Sequence, residues 1–166
     1  MATTTDKISY VVTANALTIT LNSLASSSTA GRGSAAVDNT ANLYDDVLVE
    51  VILKTTSAST PANDKAAYIY VYGSADGTNY DGSSVEAVGT DAAVTIDSPT
   101  NLKGPRVLVV LNSAASYKTS FNIASFFGGV MPLKWGVVVQ NYSGMGLTGT
   151  PADHSVSYTG IYYTNS

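Results

Sequence analysis

A chain of 166 residues is long enough for one domain with a sizeable core, and it has no cysteine, one histidine and a formal charge of −4 with only 12% charged residues. That composition excludes thiol catalysis, thiolate zinc sites and iron–sulfur clusters. It also argues against a nucleic-acid surface, because phosphate binding needs clustered Lys and Arg, and the eight basic residues are scattered along the chain. No stretch approaches the ~18 apolar residues of a membrane helix. Residues 11–24 are interrupted by Thr13, Asn15, Thr18, Thr20, Asn22 and Ser23, so they lack the continuous apolar core of a signal peptide.

Residues 1–15 are Thr-rich and read as an extended N-terminal arm, with Ile8, Tyr10 and Val12 as its one apolar alternation. Leu17, Ile19 and Leu21 alternate with polar residues, which predicts a strand over 16–21 and opens the domain proper, 16–166. Residues 23–42 read as a Ser/Ala/Gly-rich loop carrying one short edge strand around 34–37. The clearest strand is 46–55, with Val47, Val49, Val51 and Leu53 on one face and Leu48, Glu50, Ile52 and Lys54 on the other. After a loop at 57–65, residues 66–72 form a strand that puts Tyr68, Tyr70 and Tyr72 on one face. Residues 73–84 are turn-forming. Short strands follow at 84–88 and 92–96, then a turn at Pro99 and a central strand at 106–111, assigned from its apolar run. Residues 120–127 form a strand or a helical turn ended by Gly128-Gly129. A strand at 134–141, a Gly-rich loop at 142–151 and a last strand at 155–163, with Val156, Tyr158, Gly160 and Tyr162 facing one way, complete the chain.

About eight short strands between turn-rich loops, with no helical periodicity, predict an all-β fold: a two-sheet antiparallel sandwich, jelly-roll-like because its loops are unequal. Val49, Val51, Leu108, Val110 and Val138 are expected in its core.

Chemistry-bearing residues are few. His154 follows Asp153, but a triad would also need a positioned serine and an oxyanion hole, and there is no G-x-S-x-G. A loop histidine near a strand end is the preferred reading. Residues 76–82, Asp-Gly-Thr-Asn-Tyr-Asp-Gly, resemble a calcium loop superficially. The EF-hand register fails, since Gly82 at position six leaves Gly77 at one and Val88 at twelve, so a turn built on Asx chemistry is preferred. Asp45, Asp46 and Glu50 are the one acidic cluster and read as strand-end or edge charges in preference to a glycosidase pair. The Tyr68–Tyr70–Tyr72 stripe reads as core or subunit interface before a carbohydrate platform. Trp135 reads as a core anchor. Gly31-Arg32-Gly33 lacks the strand–helix setting of a nucleotide loop. No catalytic, cofactor-binding or metal residue is assigned, and an enzyme is not expected.

The block 23–39, Ser-Leu-Ala-Ser-Ser-Ser-Thr-Ala-Gly-Arg-Gly-Ser-Ala-Ala-Val-Asp-Asn, leads into Asn42-Leu43-Tyr44-Asp45-Asp46-Val47-Leu48-Val49. Together with Leu133-Lys134-Trp135-Gly136-Val137-Val138-Val139-Gln140-Asn141 and the aromatic end 156–162, it resembles a family of small virion proteins of tailed bacteriophages. The resemblance runs from about Leu17 onward. It implies a jelly-roll head decoration or cement protein, assembled in the host cytoplasm, located in the virion and bound to the major capsid protein as a homotrimer. No nucleic acid, membrane or cofactor is implied. A tail or head-fibre component, and a carbohydrate-binding module for host glycans, are the alternatives. In the leading reading the arm 1–15 is an assembly element that adds a strand to a neighbour.

Overall fold

The computed structural model describes residues 6–56, 60–110 and 115–165. Its strands are β1 (Asp6–Tyr10), β2 (Asn15–Ala16), β3 (Ala30–Gly33), β4 (Val37–Asp38), β5 (Asp46–Lys54), β6 (Ala66–Ser74), β7 (Ala92–Thr95), β8 (Lys103–Val109), β9 (Ser116–Asn122), β10 (Lys134–Tyr142) and β11 (Ser155–Asn165). Two short 3-10 turns, Ala124–Phe127 and Pro151–Asp153, are the only helical pieces among the described residues.

Every pairing is antiparallel, in two sheets. One has the order β1-β11-β5-β9, with β2 also on β11; the other has the order β7-β3-β10-β6-β8, with β4 also on β10. Two of the strands are interrupted. β1 and β2 follow one another along β11, and β3 and β4 along β10. Counting each interrupted pair once and setting β7 aside leaves eight strands, ordered first-eighth-third-sixth and second-seventh-fourth-fifth. That is jelly-roll topology; the eleven strands exceed the expected number of about eight because two are interrupted and β7 is additional.

The sandwich interior follows from alternation. Val47, Val49, Val51 and Leu53 of β5 are buried against Ala67, Ile69 and Val71 of β6 and Trp135, Val137 and Val139 of β10. All five residues expected in the core are buried. Val156, Tyr158 and Tyr162 of β11 pack on the same cluster, as their shared face predicts. Gly160, between them, is where Tyr44 lies across the backbone, and a Cβ there would run into the Tyr44 ring.

β10 is buried on both faces because there is a third layer. Residues 75–102, which include the sheet's own edge strand β7, cover Tyr72 and Val138 with Ala87, Val94, Ile96 and Leu102. The Tyr72 ring fits over Gly136, where a Cβ would collide with it, and its hydroxyl donates to the Ser34 carbonyl at 2.7 Å. Ser34 sits at the break between β3 and β4, and its Oγ accepts the Val137 N–H at 3.0 Å. The covering segment is fastened at Asp91, whose carboxylate accepts from Arg32 Nε at 2.6 Å and from the Thr20 hydroxyl at 2.6 Å.

Several expectations are corrected. Asp6–Tyr10, read as part of an extended arm, is an edge strand of the chain's own first sheet, paired with β11 from Asp6↔Asn165 to Tyr10↔Ile161. Its alternation is shorter than a typical strand, but an edge strand needs partners on one side only. Residues 1–5 of that arm lie outside the described residues. Of 16–21, only Ala16 is in a strand, although Leu17 and Leu21 are buried as the alternation demands. Of the edge strand expected at 34–37, residues 34–36 are the break between β3 and β4; Val37 opens β4, which pairs with β10 alone, whereas β3 lies inside the sheet between β10 and β7. Residues 84–88 form turns, not a strand, and supply the buried Glu86 and Ala87 to the covering layer. The strand expected at 106–111 is not central. β8 is the edge of the second sheet, with Val107 and Val109 exposed, and Leu111 lies outside the described residues. Pro105 carries the reason, since a residue with no N–H is accommodated at a sheet edge.

Candidate functional site

The sequence-singled polar residues are dispersed, and each is occupied with local structure. His154 follows the Pro151–Asp153 turn. Its Nδ1 accepts the Lys54 N–H at 3.3 Å, and its Nε2 lies 3.0 Å from the Thr148 carbonyl. The tautomer that satisfies both carries the proton on Nε2 and leaves no nitrogen for a nucleophile. Asp153 turns to Lys54 Nζ at 3.0 Å and to the Thr148 hydroxyl at 2.8 Å, so the two neighbours form no dyad. Those bonds, led by the one from Lys54, hold the Asp153 carboxyl below its usual range.

Asp76 spends its carboxylate on its own turn. Oδ1 accepts the N–H groups of Thr78 and Asn79, each at 2.8 Å, and the Ser74 hydroxyl at 2.9 Å, while Oδ2 accepts the Asn79 amide at 2.7 Å. These bonds, led by the Asn79 backbone N–H and then the Asn79 side chain and the Thr78 N–H, push the Asp76 pKa far below the normal carboxylate value. This is the Asx turn expected of the segment. Among the described residues, no three His, Asp or Glu side chains converge as a metal site.

The acidic trio points three ways. Asp46 is buried and accepts the Ala124 N–H at 2.9 Å and the Asn122 amide at 2.7 Å, which anchors the turn after β9. Asp45 accepts the Tyr163 N–H at 2.7 Å. Glu50 faces outward and pairs with Lys118 at 2.5 Å. The tyrosine stripe is not an open platform either. Tyr72 is fully buried and meets Tyr80 edge-on at 5.3 Å, the Tyr70 hydroxyl donates to Gln140, and Tyr68 donates to Asp64. The Asp64 bond raises Tyr68 to about 12, and burial raises Tyr72 to about 12. Trp135 is fully buried and T-shaped to Tyr158 at 5.2 Å, a core anchor as expected. Arg32 is committed to Asp91.

What the fold does gather is apolar surface at one end. The loop 39–45 between β4 and β5 and the segment 123–133 between β9 and β10 meet there, on either side of a cleft of about 410 Å³. Leu43 is 70% exposed, Val130 70% and Leu133 44%. Half-buried Phe127, Met131 and Pro132 extend the patch towards a second cleft of about 350 Å³ bounded by Asp81 and Lys103. Leu43 has φ 51°, a left-handed conformation that Gly or Asn adopts at less cost. The fold therefore gains nothing from a leucine at this position. At the opposite end of the sandwich the buried Asn141 amide donates to the carbonyls of Leu24 and Met145, and its oxygen accepts from Ser143. The sequence reading missed the apolar patch. Its available signal was the run Val130-Met131-Pro132-Leu133 directly after two glycines, too much apolar surface for a solvated turn.

No family model matches this chain, and no curated protein and no solved structure matches it. Fold and surface together define a jelly-roll β-sandwich with an exposed apolar patch at one end and, among the described residues, no assembled catalytic set.

Proposed function

We propose that the protein is a structural component of a tailed-phage virion, a head decoration protein that docks on the major capsid protein through the apolar end formed by Leu43, Val130 and Leu133. The observation that carries the reading is that patch: exposed aliphatic side chains from two separate loops, one held in an unfavourable backbone conformation. Clustered exposed apolar surface is characteristic of protein–protein contact. Jelly rolls occur among viral capsid and lectin domains, and the covered tyrosine stripe favours the first kind of use here. Bridging neighbouring capsomers with this surface adds buried area that must be re-exposed before they separate, which stabilises the shell by mass action.

The test is co-sedimentation with phage heads and, separately, tails lacking the protein, using the wild type and the double variant Leu43→Asp/Val130→Asp. The wild type should pellet with heads and the variant should remain in the supernatant with an unchanged melting curve. Pelleting with tails alone would reassign the protein to the tail, and failure to pellet with either would end the virion reading.

A further inference from the structure

Four sheet edges are presented to solvent, and three of them are protected. β8 contains Pro105 flanked by Lys103 and Arg106, and Arg106 Nε donates to Thr119 Oγ1 on β9 at 3.1 Å. β9 has only Tyr117 and Phe121 among polar residues and carries the Lys118–Glu50 ion pair. β7 is four residues long, and its Thr95 N–H is taken by the Val85 carbonyl. Proline, lysine and short length are the devices that discourage edge-to-edge pairing. β1 is five residues long and carries Lys7, but it has no proline, and its Ile8-Ser9-Tyr10 stretch has no charge, with Ile8 and Tyr10 59% and 57% exposed.

β5 pairs with β11 no further than Ile161↔Asp46, so among the described strands β1 alone pairs with Tyr162, Tyr163, Thr164 and Asn165. Tyr162 packs on the core and Asp45 accepts the Tyr163 N–H, which holds this end of β11, and with it β1, in place at the rim of the sandwich.

We infer that β1 pairs with β1 of a second copy of this chain, antiparallel about a two-fold axis at Ser9. Hydrogen-bond alternation fixes that register. The Val11 N–H donates to the Gly160 carbonyl, so Ser9↔Tyr162 is likewise a bonded pair and Ser9 directs its main-chain groups at β11. Ile8 and Tyr10 therefore direct theirs at the open edge. With Ser9 opposite Ser9, Ile8 falls opposite the second copy's Tyr10 and Tyr10 opposite its Ile8. Each pair exchanges both main-chain bonds and also makes a β-branched–aromatic contact on the outer face. Tyr163, 58% exposed and directly beside Ile8, continues that row. The two first sheets become one continuous sheet. This concerns the isolated protein and does not rest on the capsid reading.

Sedimentation velocity of the full chain should show a concentration-dependent dimer. Ile8→Pro removes an edge N–H without touching the β11 ladder, and Ile8→Lys puts a charge into the apolar row that would face the second copy. Both should lower the dimer fraction at least tenfold at equal concentration while keeping the β-sheet circular dichroism spectrum. Because the chain lacks cysteine, Ser9→Cys provides an independent reading of register. Non-bonded antiparallel pairs bring Cα atoms to about 4.5 Å, within disulfide reach, so mild oxidation should crosslink this variant and leave Lys118→Cys on the β9 edge uncrosslinked. A monomer at all concentrations, a trimer, a dimer that Ile8→Lys and Ile8→Pro leave intact, or no Ser9→Cys crosslink would each overturn the inference.

Discussion

Asp91 shows how much of this molecule depends on single side chains that join distant segments. Burial raises its pKa, but hydrogen bonds from Arg32 and Thr20 outweigh burial and hold it at about 2. A carboxylate depressed in the folded state stabilises the fold above its unfolded value and loses that contribution as it protonates. Stability should therefore fall as pH drops from about 4 towards 2, by on the order of 1–2 kcal/mol from this group after solvent screening. Urea melts across that range should show the loss, and Asp91→Asn should flatten it. Gly136→Ala is expected to cost about 1–3 kcal/mol, because the new methyl meets the hydrogen-bonded Tyr72 ring, which has no free space to move into. Leu108→Ala, at a residue 6% exposed, should cost about 2–4 kcal/mol in the same assay. Burial of this kind was legible in the sequence, since alternation put Val49, Val51 and Leu108 inward. The Asp91–Arg32 pair was not legible, because 59 residues separate the partners and neither has a local pattern that announces the other.

At the scale of elements, strand existence was more readable than strand position. β5, β6, β10 and β11 have long alternating or apolar runs, and they are the inner strands of the two sheets. β8 has a similar run, yet sits at an edge, and only Pro105 distinguished it. β1 was misread because its pattern is brief and its ladder partner lies at the other end of the sequence. Deleting residues 1–10 should accordingly lower the melting temperature by more than about 5 °C, since it strips the ladder from β11 and bares Ile161. A scanning fluorimetry trace unchanged by the deletion would contradict that role. The covering layer could not be foreseen, because residues 75–102 alternate too weakly to show that they have a buried face. Burial of Glu86, with its carboxylate accepting the N–H groups of Ser83 and Asp97, is a tertiary outcome.

For the molecule as a whole, jelly-roll topology makes most contacts non-local, since first pairs with eighth and second with seventh. Loop-closure entropy must be met before such pairings are rewarded, so refolding should take milliseconds to seconds, as for other β-sandwiches of high contact order. Trp135, the single tryptophan and fully buried between the sheets, gives stopped-flow fluorescence a probe of the assembled core. The class of fold was readable from strand spacing, whereas the apolar end was not. Leu43, Val130 and Leu133 come from loops far apart in sequence, and only closure of the sandwich sets them side by side.

The pairing of Asp6 with Asn165 has a practical consequence for anyone attaching cargo to this protein. Both ends of the described chain emerge next to each other, on the same side as the Leu43–Val130 surface. A tag on either end would crowd that surface, whereas a peptide inserted between the exposed Gly149 and Thr150 would project from the far side. A circularly permuted chain, with the neighbouring ends joined by a short linker and new ends opened at that loop, would turn the same sandwich into a display platform whose cargo faces away from the Leu43–Val130 surface.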